Sequence, residues 1–324
     1  AALVLLLALA PFFLLVDRLP QFYRDLTLAT AEKIHISKYL PMGDANEKVV
    51  ALRRNFYGIL RVGEKNSSGP EDRIRYLYHG QTLHGYQYVD DEFYRQQPTT
   101  YFTNESGVGV AILNHPRRKI YNSNRDQRVG IVGLGAGILA AYGRECDYYR
   151  IYEINPAMAE LAASEKSYFS YVSECKAEVD IVVGDGRISM EHEESQQFDI
   201  LALDAFSGDA PPVHLLTIEA FHTYMRHMRD GGIIAIQITN RYMNFKPLLW
   251  KIADELGLER IHIADWNDKS FLAYGSDWIL LTTDKDLFAQ KVFINRAEPP
   301  PIKDALDSIQ IWTDDYSNLY QLLS

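Results

Sequence analysis

Residues 128–142 read RVGIVGLGAGILAAY, and this stretch decides the fold class of the chain. Arg128 to Val132 is a short apolar strand pattern, and the glycine loop Gly133-Leu134-Gly135-Ala136-Gly137 follows it and opens a helical stretch. In such a loop the backbone can approach a ligand closely, with the start of the next helix facing it. Ile138 stands where the dinucleotide fingerprint has Gly or Ala, so the spacing disfavours a dinucleotide without excluding it.

The strands predicted after this loop deliver polar residues at their carboxyl ends. Glu153 ends the strand at 150–154, Asp185 and Gly186 follow the strand at 179–183, and Asp204 follows the strand at 198–203. Two more apolar runs, at 233–238 and 278–282, read as further strands. Strands that alternate with helical stretches predict an α/β fold with a Rossmann-like parallel sheet. Ligands bind at the carboxyl edge of such sheets, so we expect these residues to lie together.

The organisation upstream of this sheet is different. Short β-type runs alternate with turn signals between Val49 and Val110, which predicts a small antiparallel β domain. The predicted divisions are the end of a transmembrane helix at 1–20, a connector at 21–48, the small β domain at 49–121 and a Rossmann-like nucleoside-binding catalytic domain at 122–324.

The first residues form an apolar run from Ala1 to Val16, broken only by Pro11 and followed by Asp17 and Arg18. The run has neither the basic start nor the cleavage site of a secretory signal. We therefore expect the end of a transmembrane helix belonging to a longer protein, with a buried hydrophobic helix as the alternative. The expected location is the cell membrane, with the catalytic domain on the cytoplasmic side.

Composition narrows the function classes. In 324 residues, 47% are hydrophobic and 23% are charged, which excludes disordered and collagen-like proteins. The formal net charge of -10 repels phosphate backbones, so nucleic acid is not an expected partner. Cys146 and Cys175 are the two cysteines, and their spacing suggests neither a disulfide framework nor a zinc site. No metal is predicted.

The polar strand ends suit a nucleoside. Glu153 can accept hydrogen bonds from the two ribose hydroxyls, Asp185 suits an adenine amino group, and Gly186 allows a backbone contact. Together with the glycine loop (Gly133, Gly135 and Gly137) and Asp204, they have the spacing of the nucleoside-binding half of S-adenosylmethionine-type enzymes. The loop lacks the Lys-Ser/Thr pair of a P-loop, so phosphoryl transfer loses its main support.

Residues 203–211, LDAFSGDAP, resemble the strand-end acidic motif of spermidine synthases and related aminopropyltransferases. Residues 83–87, LHGYQ, and the DEF at 91–93 resemble that family's Asp-Gly, Gln and Asp-Glu-Phe signature, and Asn114-His115-Pro116 is similar to its linker. Residues 312–317, WTDDYS, resemble the tail of bacterial members that are fused to a membrane region.

The resemblance implies transfer of an aminopropyl group from decarboxylated S-adenosylmethionine to a polyamine such as putrescine, releasing methylthioadenosine. Asp204 is then the candidate proton acceptor and ammonium ligand, and Asp209 is a second amine ligand. Gln87 and Tyr94 line the substrate end by their family positions. A sulfonium is already an activated leaving group, so the reaction needs no metal. The protein could form a homodimer, but the sequence does not determine the oligomeric state.

Departures from the family pattern keep other functions open. Ala136 stands where the family's glycine loop usually carries an Asp that grips the donor's amine, Tyr57 replaces a family Gln, and Asp209 comes later than the family's second Asp. One alternative is methyl or aminocarboxypropyl transfer from intact S-adenosylmethionine on the same fold. Another is a non-catalytic domain of a membrane protein that senses a nucleoside or polyamine.

Overall fold

The structure is a computed structural model that describes residues 47–66, 73–119, 127–206, 211–240, 242–266 and 272–323. Residues Lys48–Ser324 belong to one compact unit. Within the described ranges, no helix has both the length and the apolar character needed to cross a membrane. The predicted membrane segment at 1–20 lies outside those ranges, so it stays a prediction.

Four antiparallel strands in the order β1-β2-β3-β4 form the first sheet. They are β1 (Lys48–Asn55), β2 (Gly58–Asn66), β3 (Arg73–His79) and β4 (Thr82–Tyr88). This confirms the predicted antiparallel sheet ahead of the parallel one. The sequence pattern misses β1, whose residues KVVALRRN lack a clean alternation of apolar and polar side chains.

The second sheet has seven strands in the order β10-β11-β9-β8-β5-β6-β7. The strands β9, β8, β5, β6 and β7 pair in parallel, whereas β11 and β10 are antiparallel additions at one edge. The strands are β5 (Arg128–Val132), β6 (Tyr148–Glu153), β7 (Glu178–Val183), β8 (Phe198–Leu203), β9 (Met228–Gln237), β10 (Glu259–Asp265) and β11 (Ser276–Thr282). The predicted Rossmann-like sheet is confirmed. Within this sheet, the sequence pattern does not predict β10.

Both faces of this sheet are buried. Along β8, Ile200 and Ala202 belong to one apolar cluster, whereas Leu201 and Leu203 belong to another. Successive side chains of a strand point to opposite faces, so these are the cores on the two sides of the sheet. The helices of the described residues are α1 (Glu92–Arg95), α2 (Gly107–Asn114), α3 (Pro156–Ala163), α4 (Gly186–His192), α5 (Ile218–His227), α6 (Lys246–Glu255), α7 (Lys291–Ile294) and α8 (Lys303–Asp307). Of these, α2 to α6 pack on the seven-stranded sheet, whereas α1 contacts β4 of the first sheet.

One predicted helix differs in form. The stretch after the glycine loop, Ile138–Tyr142, is a short 3₁₀ helix. It begins after Gly137, which has a φ of 83° and makes no side-chain cap, and Gly143 ends it after five residues. The loop therefore leads into a single short turn, and the long α-helices lie elsewhere.

Candidate functional site

The carboxyl ends of four neighbouring parallel strands, β8, β5, β6 and β7, meet at one edge of the sheet. Gly133, Glu153, Asp185 and Asp204 come at or just after these ends, and all four line one cleft with a volume of about 420 Å³. Gly135 and Gly186 line the same cleft. The structure therefore brings together the residues that the sequence assigns to a nucleoside, with the exception of Gly137.

The glycine loop approaches its neighbours too closely for any side chain. Gly133 has a φ of 98°, and a Cβ there would lie 2.5 Å from the carbonyl oxygen of Asp204. Gly135 has a φ of 53°, and its Cβ would lie 3.0 Å from the carbonyl oxygen of His84. Both positions favour glycine, since other residues rarely adopt a positive φ. Gly137 starts the 3₁₀ turn and does not line the cleft.

Glu153 joins two parts of the cleft wall. Its Oε2 accepts the backbone N–H of Leu134 in the glycine loop at 2.9 Å, and its Oε1 accepts that of Asn155 at 2.7 Å. The residue is only 6% exposed. Burial raises the pKa of Glu153, and the two backbone donors oppose that rise. Each oxygen keeps acceptor capacity, so the carboxylate can also receive a ligand hydroxyl.

Asp185 lies at the start of α4. Its Oδ1 accepts the backbone N–H of Ile188 at 3.0 Å, and its Oδ2 lies 2.9 Å from Nε2 of His214. The hydrogen bond with His214 lowers the pKa of Asp185 below its usual value. Next to it, a Cβ on Gly186 would lie 2.8 Å from Val132 Cγ1, so this position must stay small.

Asp204 has the most unusual surroundings of the four. It is 8% exposed, and its Oδ1 is buried without a hydrogen-bond partner among the described residues. Burial raises the pKa of Asp204 well above its usual value, and the nearby Glu153 carboxylate adds to the rise. A buried carboxylate oxygen without a donor is costly, so this group is suited to a ligand that brings a positive charge or a proton.

The first sheet supplies the opposite wall, which sequence reasoning gave little weight. Tyr57, His79 and His84 line the cleft. His79 Nε2 donates to the carbonyl oxygen of Tyr57 at 2.6 Å. Burial, followed by repulsion from His79, lowers the pKa of His84 to about 4, so this imidazole is neutral at pH 7. Nothing in the local sequence shows that these residues line the same cleft as the glycine loop, because only the packing of the two sheets brings them there.

Asn155 is a further residue that sequence reasoning missed. It lies in the cleft wall beside Glu153 and is buried, and its Oδ1 accepts a hydrogen bond from Asn55 at 2.6 Å. Its Nδ2 has no partner among the described residues. The usable signal is its position before Pro156, where an Asn typically caps a helix, as it does here for α3.

Of the residues assigned to the amine end, Asp204 lines this cleft, whereas Gln87 and Tyr94 do not. Gln87 is buried, donates to Ser170 Oγ at 2.9 Å and to the carbonyl oxygen of Arg95 at 3.0 Å, and lines a separate cavity of about 320 Å³. Tyr94 packs on Tyr88 with ring centroids 5.5 Å apart. Asp209 lies outside the described residues. The amine-binding roles of Gln87, Tyr94 and Asp209 stay predictions.

The charge of the cleft is one-sided. Its described lining holds the carboxylates of Glu153, Asp185 and Asp204 but no Lys or Arg. Three carboxylates in a partly enclosed space attract cationic ligands and disfavour anionic ones. In the described part of the chain, no group of three His, Cys, Asp or Glu side chains is arranged to hold a metal ion.

Comparison with known proteins finds one partial sequence relative and several structures of similar fold. No family model matches the sequence. A polyamine aminopropyltransferase of Vibrio vulnificus is 27% identical over 115 residues, which cover 34% of this chain and 37% of that protein. The matched part is therefore well under half of this relative's length.

Solved spermidine synthases share the fold. A probable spermidine synthase from Corynebacterium glutamicum superposes with a TM-score of 0.53 at 14% identity, over 74% of this chain and 81% of that one. The Thermotoga maritima spermidine synthase gives a TM-score of 0.50 at 12% identity, over 83% of this chain and 82% of that one. At such identities the likeness shows the shared α/β architecture, with its antiparallel sheet followed by a Rossmann-like sheet.

Proposed function

We propose that this protein is an aminopropyltransferase that moves an aminopropyl group from decarboxylated S-adenosylmethionine to a polyamine such as putrescine, releasing methylthioadenosine. The observation that carries the proposal is Asp204, a buried carboxylate with an unpartnered oxygen in an acidic cleft beside a glycine loop. The partial likeness to a polyamine aminopropyltransferase supports the same reaction class.

The nucleoside end of the cleft suits the donor. Gly133 and Gly135 line the cleft in backbone conformations with a positive φ, which residues with a side chain rarely adopt. Glu153 is a buried acceptor with capacity for ribose hydroxyls, and the Asp185 carboxylate can receive an amino group at the edge of an adenine ring. These residues bind and orient the donor. The backbone of Asp204 lies against the same loop, and Asp204 lines the same cleft.

The reaction is a substitution at carbon. The lone pair of the acceptor amine forms a new C–N bond to the methylene carbon next to the sulfonium, and the C–S bond breaks, so that its electron pair stays on the sulfur of methylthioadenosine. The acceptor is mostly an ammonium at pH 7, so it must lose one proton before its lone pair can attack, and the product remains a secondary ammonium. Because burial raises its pKa, the Asp204 carboxylate is a stronger base than an exposed Asp, and it accepts this proton before passing it to solvent. Holding the amine in line with the breaking bond lowers the barrier further.

The lining also bears on the choice of donor. A carboxylate on intact S-adenosylmethionine would enter a cleft whose described lining has three carboxylates and no Lys or Arg. Like charges at close range disfavour that ligand. The decarboxylated donor and a polyamine bring only positive charge to the transferring end, so they suit the same lining.

One observation favours a second candidate. Ala136, in the glycine loop, is apolar and buried, so no carboxylate from this position can hold the donor's free amine. Methyl or aminocarboxypropyl transfer from intact S-adenosylmethionine does not need that contact. It remains the alternative activity for this cleft.

Product analysis by mass spectrometry tests the proposal. Purified protein is mixed with either donor and with a panel of diamines and triamines, and the Asp204→Asn variant serves as the control. The proposal expects methylthioadenosine together with an amine whose mass has increased by an aminopropyl group, and only from the decarboxylated donor. S-adenosylhomocysteine would instead identify a methyltransferase, and a carboxylated adduct an aminocarboxypropyltransferase. Nucleoside binding without any product would favour the sensing domain.

A further inference from the structure

A short turn at the rim of the cleft is held from two sides. The 3₁₀ turn Val213–Leu215 carries His214, whose Nε2 lies 2.9 Å from Oδ2 of Asp185. On the other side, the backbone carbonyl oxygen of His214 accepts a hydrogen bond from Nη1 of Arg187 at 2.8 Å. Asp185 and Arg187 are two residues apart at the start of α4, so one short segment grips both the side chain and the main chain of His214.

Arg187 is itself fixed by a residue far along the chain. Its Nη1 and Nη2 donate to Oδ1 and Oδ2 of Asp314, both at 2.6 Å. This is the bidentate arrangement that sets the plane of a guanidinium as well as its position. Thr217, which caps α5 and follows two residues after the His214 turn, donates to Asp314 Oδ1 at 2.8 Å.

The segment that carries Asp314 is anchored independently. Trp312 is fully buried, and its carbonyl oxygen accepts the backbone N–H of Ile218 at 2.9 Å. The backbone N–H of Asp314 donates to Oε2 of Glu219 at 3.0 Å. Asp314 is therefore held in place by the core while its 45%-exposed side chain reaches Arg187. The Trp312 to Ser317 motif, which the proposed reaction leaves without a role, lies directly behind the cleft wall.

We propose that Asp314 and Arg187 are positioning residues for the nucleoside end of the cleft. Asp314 orients Arg187, Arg187 holds the carbonyl of His214, and the His214 side chain then stays against Asp185. Loss of Asp314 removes the bidentate contact, so the guanidinium is oriented only by Glu191 at Nε and by Thr217 and the His214 carbonyl at Nη1. The identity of the ligand rests on the proposed function, whereas the coupling from Asp314 to His214 does not.

Asp314→Asn tests the coupling, since the amide keeps the shape but loses the charge and one acceptor oxygen. We measure the Kd of methylthioadenosine by calorimetry and expect it to rise about tenfold, the loss typical of one charge-assisted hydrogen bond. The donor KM should rise with it, while the KM of the acceptor amine stays unchanged. Arg187→Lys should act like Asp314→Asn, because a lysine cannot make the bidentate contact.

The matched control is Glu105→Gln, which removes a comparable Arg pair, with Arg296 at 2.5 Å, from another part of the surface. It should leave the methylthioadenosine Kd unchanged. His214→Ala provides the second test, because Asp314→Asn should have no further effect on Kd in that background if it acts through His214. Equal losses in both backgrounds, or a wild-type Kd for Asp314→Asn, would overturn the proposal.

Hydrogen exchange separates this inference from the proposed function. Amide exchange in residues 211–217 is followed by mass spectrometry without any ligand. Faster exchange in Asp314→Asn, and not in Glu105→Gln, is expected whether or not the wild type binds methylthioadenosine. Unchanged exchange refutes the coupling, whereas a wild type that fails to bind methylthioadenosine contradicts only the proposed function.

Discussion

Replacing Glu153 by Gln tests the link between the glycine loop and nucleoside binding. The two oxygens of Glu153 accept one backbone N–H each, from Leu134 and Asn155. A Gln amide has a single acceptor oxygen, so one of these N–H groups must face an NH₂ group. The buried N–H left without an acceptor costs about 1–3 kcal/mol.

A second contribution has the opposite sign. Burial raises the pKa of Glu153, which means that burying the charged carboxylate costs free energy. A neutral Gln side chain does not have this cost. We therefore expect the free energy of unfolding to fall by only about 1–2 kcal/mol. Nucleoside affinity has no such compensation, because the loop loses an anchor and the ribose loses an acceptor. We expect the Kd of methylthioadenosine to rise about 10- to 100-fold.

The assay combines calorimetric titration of methylthioadenosine with urea unfolding of the same samples. Glu160→Gln is the matched control, because Glu160 lies on the next helix, is 54% exposed in its side chain and pairs with Arg53 on the surface. Its change in unfolding free energy should stay within about 0.5 kcal/mol, with an unaltered Kd. A Glu153→Gln protein that binds methylthioadenosine like the wild type would refute the role of this carboxylate.

Three further predictions concern the loop, the tail and the catalytic carboxylate. Gly257→Ala serves as the reference for backbone strain alone, because Gly257 has a φ of 64° and its Cβ would meet nothing within 4 Å. It should cost about 1–2 kcal/mol of unfolding free energy. Gly133→Ala should cost clearly more, because its Cβ would also collide with a backbone oxygen, and equal costs in urea unfolding would contradict the close approach. The hydrogen bond from Arg187 lowers the pKa of Asp314 to about 2, whereas the pKa in the unfolded chain is about 3.9. The ion pair therefore stabilises the fold above about pH 4, and this contribution is lost as the pH falls to about 2. The stability gap between wild type and Asp314→Asn should close over that range, and a constant gap would contradict it. Burial raises the pKa of Asp204, so kcat/KM of the wild type should fall on the acid side with an inflection at a pH well above about 4. An inflection at the pH of an exposed Asp would count against Asp204 as the proton acceptor.

The sequence predicts most of the parallel sheet because its strands are continuous apolar runs that end in glycine or a carboxylate. The strands Arg128–Val132 and Phe198–Leu203 are found with the bounds that the pattern indicates. Strands at the edges are harder, since the charged β1 and the mixed β10 lack a clear period. The same logic explains why Glu153 and Asp204 could be predicted to meet.

The rest of the site depends on packing that no local pattern encodes. His84 approaches Gly135 because the first sheet lies over the glycine loop, and Asp314 reaches Arg187 across 127 positions of sequence. Gln87 shows the opposite case. Its motif position suggests a substrate contact, but its amide is taken up by hydrogen bonds with Ser170 and the carbonyl oxygen of Arg95.

The central claim is that Asp204 accepts the proton of an amine in a nucleoside-binding cleft. Its most direct test is the rate at which Asp204→Asn forms methylthioadenosine from decarboxylated S-adenosylmethionine and putrescine, with the Kd of methylthioadenosine measured on the same sample. Loss of a general base predicts a rate lower by about 10²- to 10⁴-fold, with a nearly unchanged Kd. An unchanged rate, or a rate that falls only because the nucleoside no longer binds, would contradict the claim.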